Sequence, residues 1–265
     1  MALPRGRRHE ARAALDRAIA FADRNGRSYA AAYGRCYLAE AQLLAGDLTG
    51  ARASLLQVAS FPIDASIVRT FAATVAVELS LYLGVEAAIP ALSSTAIVDE
   101  AFATGEASRF APLAAAHARL AARRGDPAAV ADLIGHALPA VKAFAYASAA
   151  LLAFCELGGN DEAAIVRGLL GPIPSVGVER VHHLLIEAVL AQKAGDTATA
   201  RRRAIVAADA AERLDAPLLR AKALEYAGRG NEALAIYRAH HAEGEVRRLS
   251  GVKSQICCNS GSSIA

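Results

Sequence analysis

The chain has 265 residues, and its 29 Lys and Arg against 26 Asp and Glu leave a net charge of only +3. Alanine is the commonest residue, tryptophan is absent and methionine occurs once, a composition that favours helix and leaves little for sheet. The basic clusters at Arg5, Arg7 and Arg8, at Arg123 and Arg124, and at Arg201 to Arg203 lie far apart along the chain, which reads as solvated helix ends and argues against a nucleic-acid footprint. The apolar runs around 71–83 and 144–155 are too short or too interrupted to predict a bilayer span, and the N-terminus lacks the apolar core of a secretory signal. Cys36 and Cys155 sit in apolar helical stretches, Cys257 and Cys258 adjoin in a polar tail, and no C-x-x-C spacing exists. These features predict a soluble cytoplasmic protein with no membrane partner.

A leading helix is predicted from about His9 to Arg24, stopped by Asn25 and Gly26. After it, glycines recur at 46, 84, 125, 159, 195 and 228, in steps of about 33 to 41 residues, the period of stacked helical hairpins. The first helices of these hairpins are predicted at 28–45, 66–83, 112–124, 144–157, 178–194 and 217–227. A second helix follows each glycine. Pro62, Pro127, Pro172, Pro174 and Pro217 fall near helix starts or between hairpins, where a missing backbone donor costs little. The segment 93–107 fits the period worst and is assigned a short extra helix, 96–103. The reading is an all-α, right-handed α-solenoid of about six hairpins spanning residues 1–250 as one domain, hairpins at 28–242, with 251–265 a disordered tail.

The repeated positions have architectural chemistry. Gly46, Gly125, Gly159, Gly195 and Gly228 each close a first helix with positive φ, and Asp47, Asp126 and Asp196 are placed to accept from amides opening the second. Small residues recur five after the glycine, at Ala51, Ala164, Ala200 and Ala233, and seven before it, at Ala39, Ala118, Ala188 and Ala221, where helices must approach closely. Ile89 and Val130 depart from the first column and Leu152 from the second. Leu55, Ile134 and Tyr237 are predicted to fill the space between hairpins.

This arrangement resembles the tetratricopeptide repeat, most plainly in LEYAGRGNEALAIYRA, where Ala221, Gly228, Ala233 and Tyr237 match consensus positions. The resemblance covers about residues 28–242. The longer copies are similar to the sensor region of large bacterial signal-transducing ATPases with a LuxR-type DNA-binding end, the MalT-like regulators. That resemblance implies an ATPase module before the repeats and a helix-turn-helix after them; within the chain no G-x-x-x-x-G-K-[ST] and no recognition helix is found.

Candidate contact residues follow from the non-repeating positions. Tyr29, Tyr33 and Tyr37 recur every four residues, a row that either stacks against a partner or fills the gap beside the leading helix. Glu179, His183 and Glu187 form a stripe with Arg180 beside them, either a polar contact surface or a surface ion-pair row. His182 is expected to be packed and hydrogen-bonded, and His240 and His241 to suit the negative end of a helix dipole. No G-x-S-x-G, H-E-x-x-H or clustered Cys and His is present, so no catalytic residue, metal or cofactor is assigned. The predicted function is a non-enzymatic scaffold, monomeric or weakly dimeric, that binds a protein segment in its concave groove through Tyr33, Tyr37, Arg180, His183 and Glu187. The alternative is the ligand-sensing repeat region of a bacterial regulator.

Overall fold

In the computed structural model, residues 5–60, 66–84, 89–142 and 147–259 are described, with side chains throughout these ranges except at 5–9, 11 and 252–259. Pro62 and residues 260–265 lie outside the described residues, as do the side chains of Cys257 and Cys258. The described chain is all helix, with no strand among the described residues. The helices are α1 (Arg5–Arg24), α2 (Ser28–Leu44), α3 (Leu48–Ser60), α4 (Ser66–Leu83), α5 (Ala96–Ala103), α6 (Ala107–Arg124), α7 (Pro127–Ala137), α8 (Ser148–Leu157), α9 (Asn160–Leu169), α10 (Val178–Lys193), α11 (Thr197–Arg213), α12 (Pro217–Tyr226), α13 (Gly230–Ala239) and α14 (Glu243–Asn259). The domain boundary expected at 250 falls inside α14.

The turns form as their residues dictate. Gly46, Gly125, Gly195 and Gly228 have φ of 77, 73, 80 and 76°, and the carboxylates of Asp47, Asp126 and Asp196 accept from the amides of Gly50, Ala129 and Thr199 at 2.9, 3.0 and 2.9 Å. Gly159 departs from this expectation, with φ of −80°. The chain leaves α8 extended, and Glu162 reaches back to accept from the Gly159 amide at 2.7 Å. The register there belongs to Gly158, so the buried small residue is Ala163, not Ala164, which is exposed. Pro112, expected at a helix start, lies inside α6, which begins one turn earlier at Ala107.

Small side chains set the spacing between helices. Ala39, Ala118, Ala188 and Ala221 are fully buried, as are Ala51 and Ala233, while Leu55, Ile134 and Tyr237 fill the gaps between hairpins with at most 3% exposure. Helices α2, α4, α6, α8, α10 and α12 each contact the next in this order and form an inner row. Each also packs against its own partner, α3, α5, α7, α9, α11 or α13, on the outside. By length and composition α4 alone among the described helices is apolar enough to cross a membrane, which the sequence reading had not granted it. In the fold it is a central helix, touching α2, α3, α5, α6 and α14.

The row curls until its ends meet. Helix α12 touches α2, and α14 lies against α4. His240, at the end of α13, reaches the turn after α2, its Nδ1 3.4 Å from the Gly46 carbonyl oxygen. A side chain at Gly46 would strike that ring, the Cε1 atom lying 2.9 Å from an added Cβ. Gly244 is similarly constrained, since an added Cβ would lie 2.9 Å from the Tyr82 carbonyl oxygen and 2.8 Å from the Gly84 nitrogen. Cys36 and Cys155 are fully buried, and burial pushes their thiols up to about 12 and about 11, so both behave as small hydrophobes.

Buried His117, 5% exposed, has no hydrogen-bond partner for Nε2 among the described residues. Burial first, and Arg124 second, push its pKa down to about 4. The ring is therefore neutral in the fold but charged in the unfolded chain below about pH 6.5, so stability is full above that pH and is lost as pH falls toward 4. Replacing His117 by Leu is expected to raise stability by about 1 kcal/mol at neutral pH by removing an unsatisfied polar atom. At pH 5 the advantage over the parent should grow by a further 1 to 2 kcal/mol or so, read from urea unfolding at the two pH values.

Candidate functional site: a charged cavity on the concave face

Three repeat positions supply most of the charged and phenolic groups that the inner helices turn toward the concave side. These lie six, three and two residues before the turn glycine, and each immediately follows or flanks the buried small column. At minus six stand Glu78, Arg119 and Lys222, at minus three Gln192 and Glu225, and at minus two Tyr82, Arg123, Glu156 (counted from Gly158) and Tyr226. All of them line one cavity of about 660 Å³, which Tyr237 of α13 and Glu245 and Arg248 of α14 complete. The cations Arg119, Arg123, Lys222 and Arg248 there equal the carboxylates Glu78, Glu156, Glu225 and Glu245 in number.

These charges form a circuit between opposite walls. On one side Arg119 of α6 donates to Glu78 of α4 at 2.7 Å and to Glu156 of α8 at 3.4 Å, and Lys222 of α12 meets Glu156 at 2.8 Å. The Tyr226 hydroxyl donates to the same Glu156 at 2.9 Å. On the other side Arg123 of α6 pairs with Glu245 of α14, Arg248 bridges Glu245 and Glu225 at 2.6 Å each, and the Tyr237 hydroxyl donates to Glu225 at 2.8 Å. Helices α6 and α12, which are not neighbours in the row, are thus joined across the concave face by two ionic bridges, one through α8 and one through α14.

Burial pushes the Glu156 carboxyl up, but Lys222 and Arg119 together outweigh it and hold the group below its ordinary range. Lys222 is pushed down, because burial and the neighbouring Arg119 outweigh the single carboxylate the two cations share. The shifts of the two partners therefore point to opposite contributions, and Lys222 carries the cost of the arrangement. Burial, with Glu78 and Glu245 adding to it, raises Tyr82, whose hydroxyl has no hydrogen bond among the described residues and faces the cavity as a neutral phenol. Close by, His182 shares a 2.9 Å hydrogen bond with Ser148, as its expected packing required, and burial pushes it down to about 3.

The residues singled out from the sequence lie elsewhere. Tyr33 and Tyr37 form an aromatic cluster with Phe71 of α4, ring centroids 6.0 and 5.0 Å away, and Tyr29 stacks on Tyr33. The cluster is half open, Tyr37 being 43% exposed, and the hydrogen bond with Tyr33, then burial, push the Tyr37 hydroxyl up to about 12. Arg180 donates to the carbonyl of Pro174 at 3.1 Å and anchors the loop before α10. His183 is 2% exposed, so the stripe it was assigned to is not a wet face at that position. It lies 3.5 Å from Glu187, which meets Arg203 of α11 at 3.0 Å, an arrangement that joins α10 to α11 and does not open into the cavity. The two regions approach through Glu40, one turn beyond Tyr37: enclosure by the curled row, and Glu179 of α10 after it, raise this carboxyl although water still reaches it. Among the described residues no group of three His, Cys, Asp or Glu is spaced to hold a metal.

The asymmetry between Glu156 and its cations is measurable. Glu156→Gln leaves Arg119 and Lys222 without their shared carboxylate and is expected to cost about 3 kcal/mol, whereas Lys222→Met, which relieves the poorly compensated cation, should cost less than about 1 kcal/mol. Urea unfolding of both variants at neutral pH checks the order, and equal losses would refute it.

Compared with known proteins, the chain matches no family model, no curated protein and no solved structure.

Proposed function

We propose that the protein is a non-catalytic binding module, a right-handed tetratricopeptide-like solenoid of about six hairpins whose concave cavity takes a compact polar ligand. The observation that carries this reading is the cavity itself: a half-open hollow of about 660 Å³ between the inner helices and α14, with a wall of paired charges and phenols. Its size suits a small molecule or a few residues of peptide. Its wall demands polarity, because an apolar ligand would strand the charged groups without water. The reading places the chain with the ligand-sensing repeat regions of the MalT-like group that its repeats resemble. The rival reading, a protein segment held on the row, is favoured only by the exposed tyrosines Tyr29 and Tyr37 at the other end.

Two lining groups, the Tyr82 hydroxyl and the Gln192 amide, bridge no helices in the described structure and are suited to testing the site without breaking it. Thermal melting against a panel of amino acids, short peptides, polyamines, dicarboxylates and sugars should show one class raising Tm. A ligand at about 100 times its Kd stabilises by about 2.7 kcal/mol. The Tyr82→Phe/Gln192→Ala variant should melt like the parent alone and lose most of that ligand-induced shift. If no class moves the parent, or the variant responds as the parent does, the cavity is not the site; loss on replacing Tyr29 and Tyr37 instead would support the protein-segment reading.

A further inference from the structure

Among the cations of the cavity, Arg123 has a single carboxylate partner, Glu245, and that partner comes from α14. Arg119, by contrast, holds Glu78 and Glu156 from the row itself. On the opposite wall Glu225 is met by Arg248, again from α14, and otherwise, among the described residues, by the Tyr237 hydroxyl. Glu245 and Arg248 are one turn apart and therefore share a face of α14, where they also meet each other at 2.6 Å. Helix α14 thus presents to the cavity one carboxylate for α6 and one guanidinium for α12. If α14 lifted away, Arg123 would lose its carboxylate and Glu225 its cation, while the bridge through Glu156 would stay intact.

Resting on the reading of the cavity as a binding site, we infer that Glu245 and Arg248 are a built-in stand-in for the ligand, which is a zwitterion whose carboxylate takes Arg123 and whose cationic group takes Glu225. The two walls offer one exchangeable charge of each sign. A ligand of a single sign leaves the other wall charge desolvated and unpaired, whereas a zwitterion restores both. Ligand and α14 then compete for one place, and occupancy is reported by the release of α14. Among the side chains described for α14, at 243–251, only Val246 and Leu249 are large apolar groups set against the row, and both are partly buried. Ala242, just before it, is buried, Gly244 in its first turn packs on the end of α4, and ion pairs make the contacts to α6 and α12. A short connection joins it to α13, with His241 at a φ of 54° and then Ala242.

The probes are ω-amino acids from 4-aminobutanoate to 8-aminooctanoate, whose two charges cover a range of separations, with hexanoate and hexylamine as single-charge controls. Hydrogen exchange on the full chain should show one ω-amino acid speeding exchange of the α14 amides over 243–251 by about tenfold, while α10 is unaffected and both controls are inert. The Glu245→Gln/Arg248→Met variant, its α14 already exchanging faster, should bind that probe about tenfold more tightly than the parent, a difference of about 1.4 kcal/mol. Should the double variant fail to fold by circular dichroism, Arg248→Met alone serves, since it spares the Arg123 pair. Exchange of α14 at the parental rate in the variant, or equal affinity of variant and parent, overturns the inference. Binding of a panel compound with no response to any ω-amino acid removes this inference and leaves the binding site standing; failure of every compound with both proteins removes both.

Discussion

Close approach of the inner helices α2, α6, α10 and α12 depends on fully buried small side chains at one repeat position, Ala39, Ala118, Ala188 and Ala221. Enlarging one of these alanines would push its neighbouring helices apart, since a packed interior has little room to absorb even a methylene, whereas α4 and α8 carry Val77 and Leu151 at the same place and are packed around them. Because the helices are close, the row bends until α12 reaches α2 and α14 reaches α4. Because the row bends, side chains at minus six, minus three and minus two from the turn glycine converge on one cavity instead of lining an open face. The site is a consequence of the spacing.

Convergence at the C-terminal ends of the inner helices also shapes the electrostatics. Unpaired carbonyls there carry partial negative charge, which suits Arg123 in the last turn of α6 and makes additional carboxylates costly unless cations hold them. The arrangement answers with strict alternation, each carboxylate of the circuit meeting at least one cation. Such a network adds little net stability over an apolar filling but is expensive to break at Glu156, on which Arg119 and Lys222 both depend, so its value lies in fixing which helices face each other. It ties α6 to α12 across the open side, a connection that nearest-neighbour stacking in a repeat array does not supply.

Much of the fold was legible from local chemistry. The turn glycines and capping aspartates at 46–47, 125–126 and 195–196 act within a few residues of themselves, so sequence is sufficient to read them. The helix Ala96–Ala103 has the bounds expected of it, but it serves as the outer partner of α4 and not as an extra helix. The register around Gly159 was misread by one residue because two glycines adjoin and only the backbone conformation tells which of them turns the chain. The site was not recognised, although a signal existed: charges and tyrosines that do not repeat in identity occupy fixed columns relative to a glycine that does. Conspicuous clusters along one helix, such as His183 with Glu187, drew attention instead and proved to join two helices of one hairpin.

Sequence by itself determined that this protein is a run of helices, where most of the turns fall and which small residues lie between helices. Those features are set by hydrogen bonds and steric limits that span a turn or a single helix pair. Only the tertiary structure decided that the row closes on itself, that Glu78, Arg119, Glu156 and Lys222 meet, and that α14 brings Glu245 and Arg248 to opposite walls of the same cavity. The physical reason is accumulation. Each hairpin adds a small rotation, local sequence scarcely constrains its size, and the sum over the whole row fixes whether charges some 120 residues apart, such as Arg123 and Glu245, stand in contact or face open water.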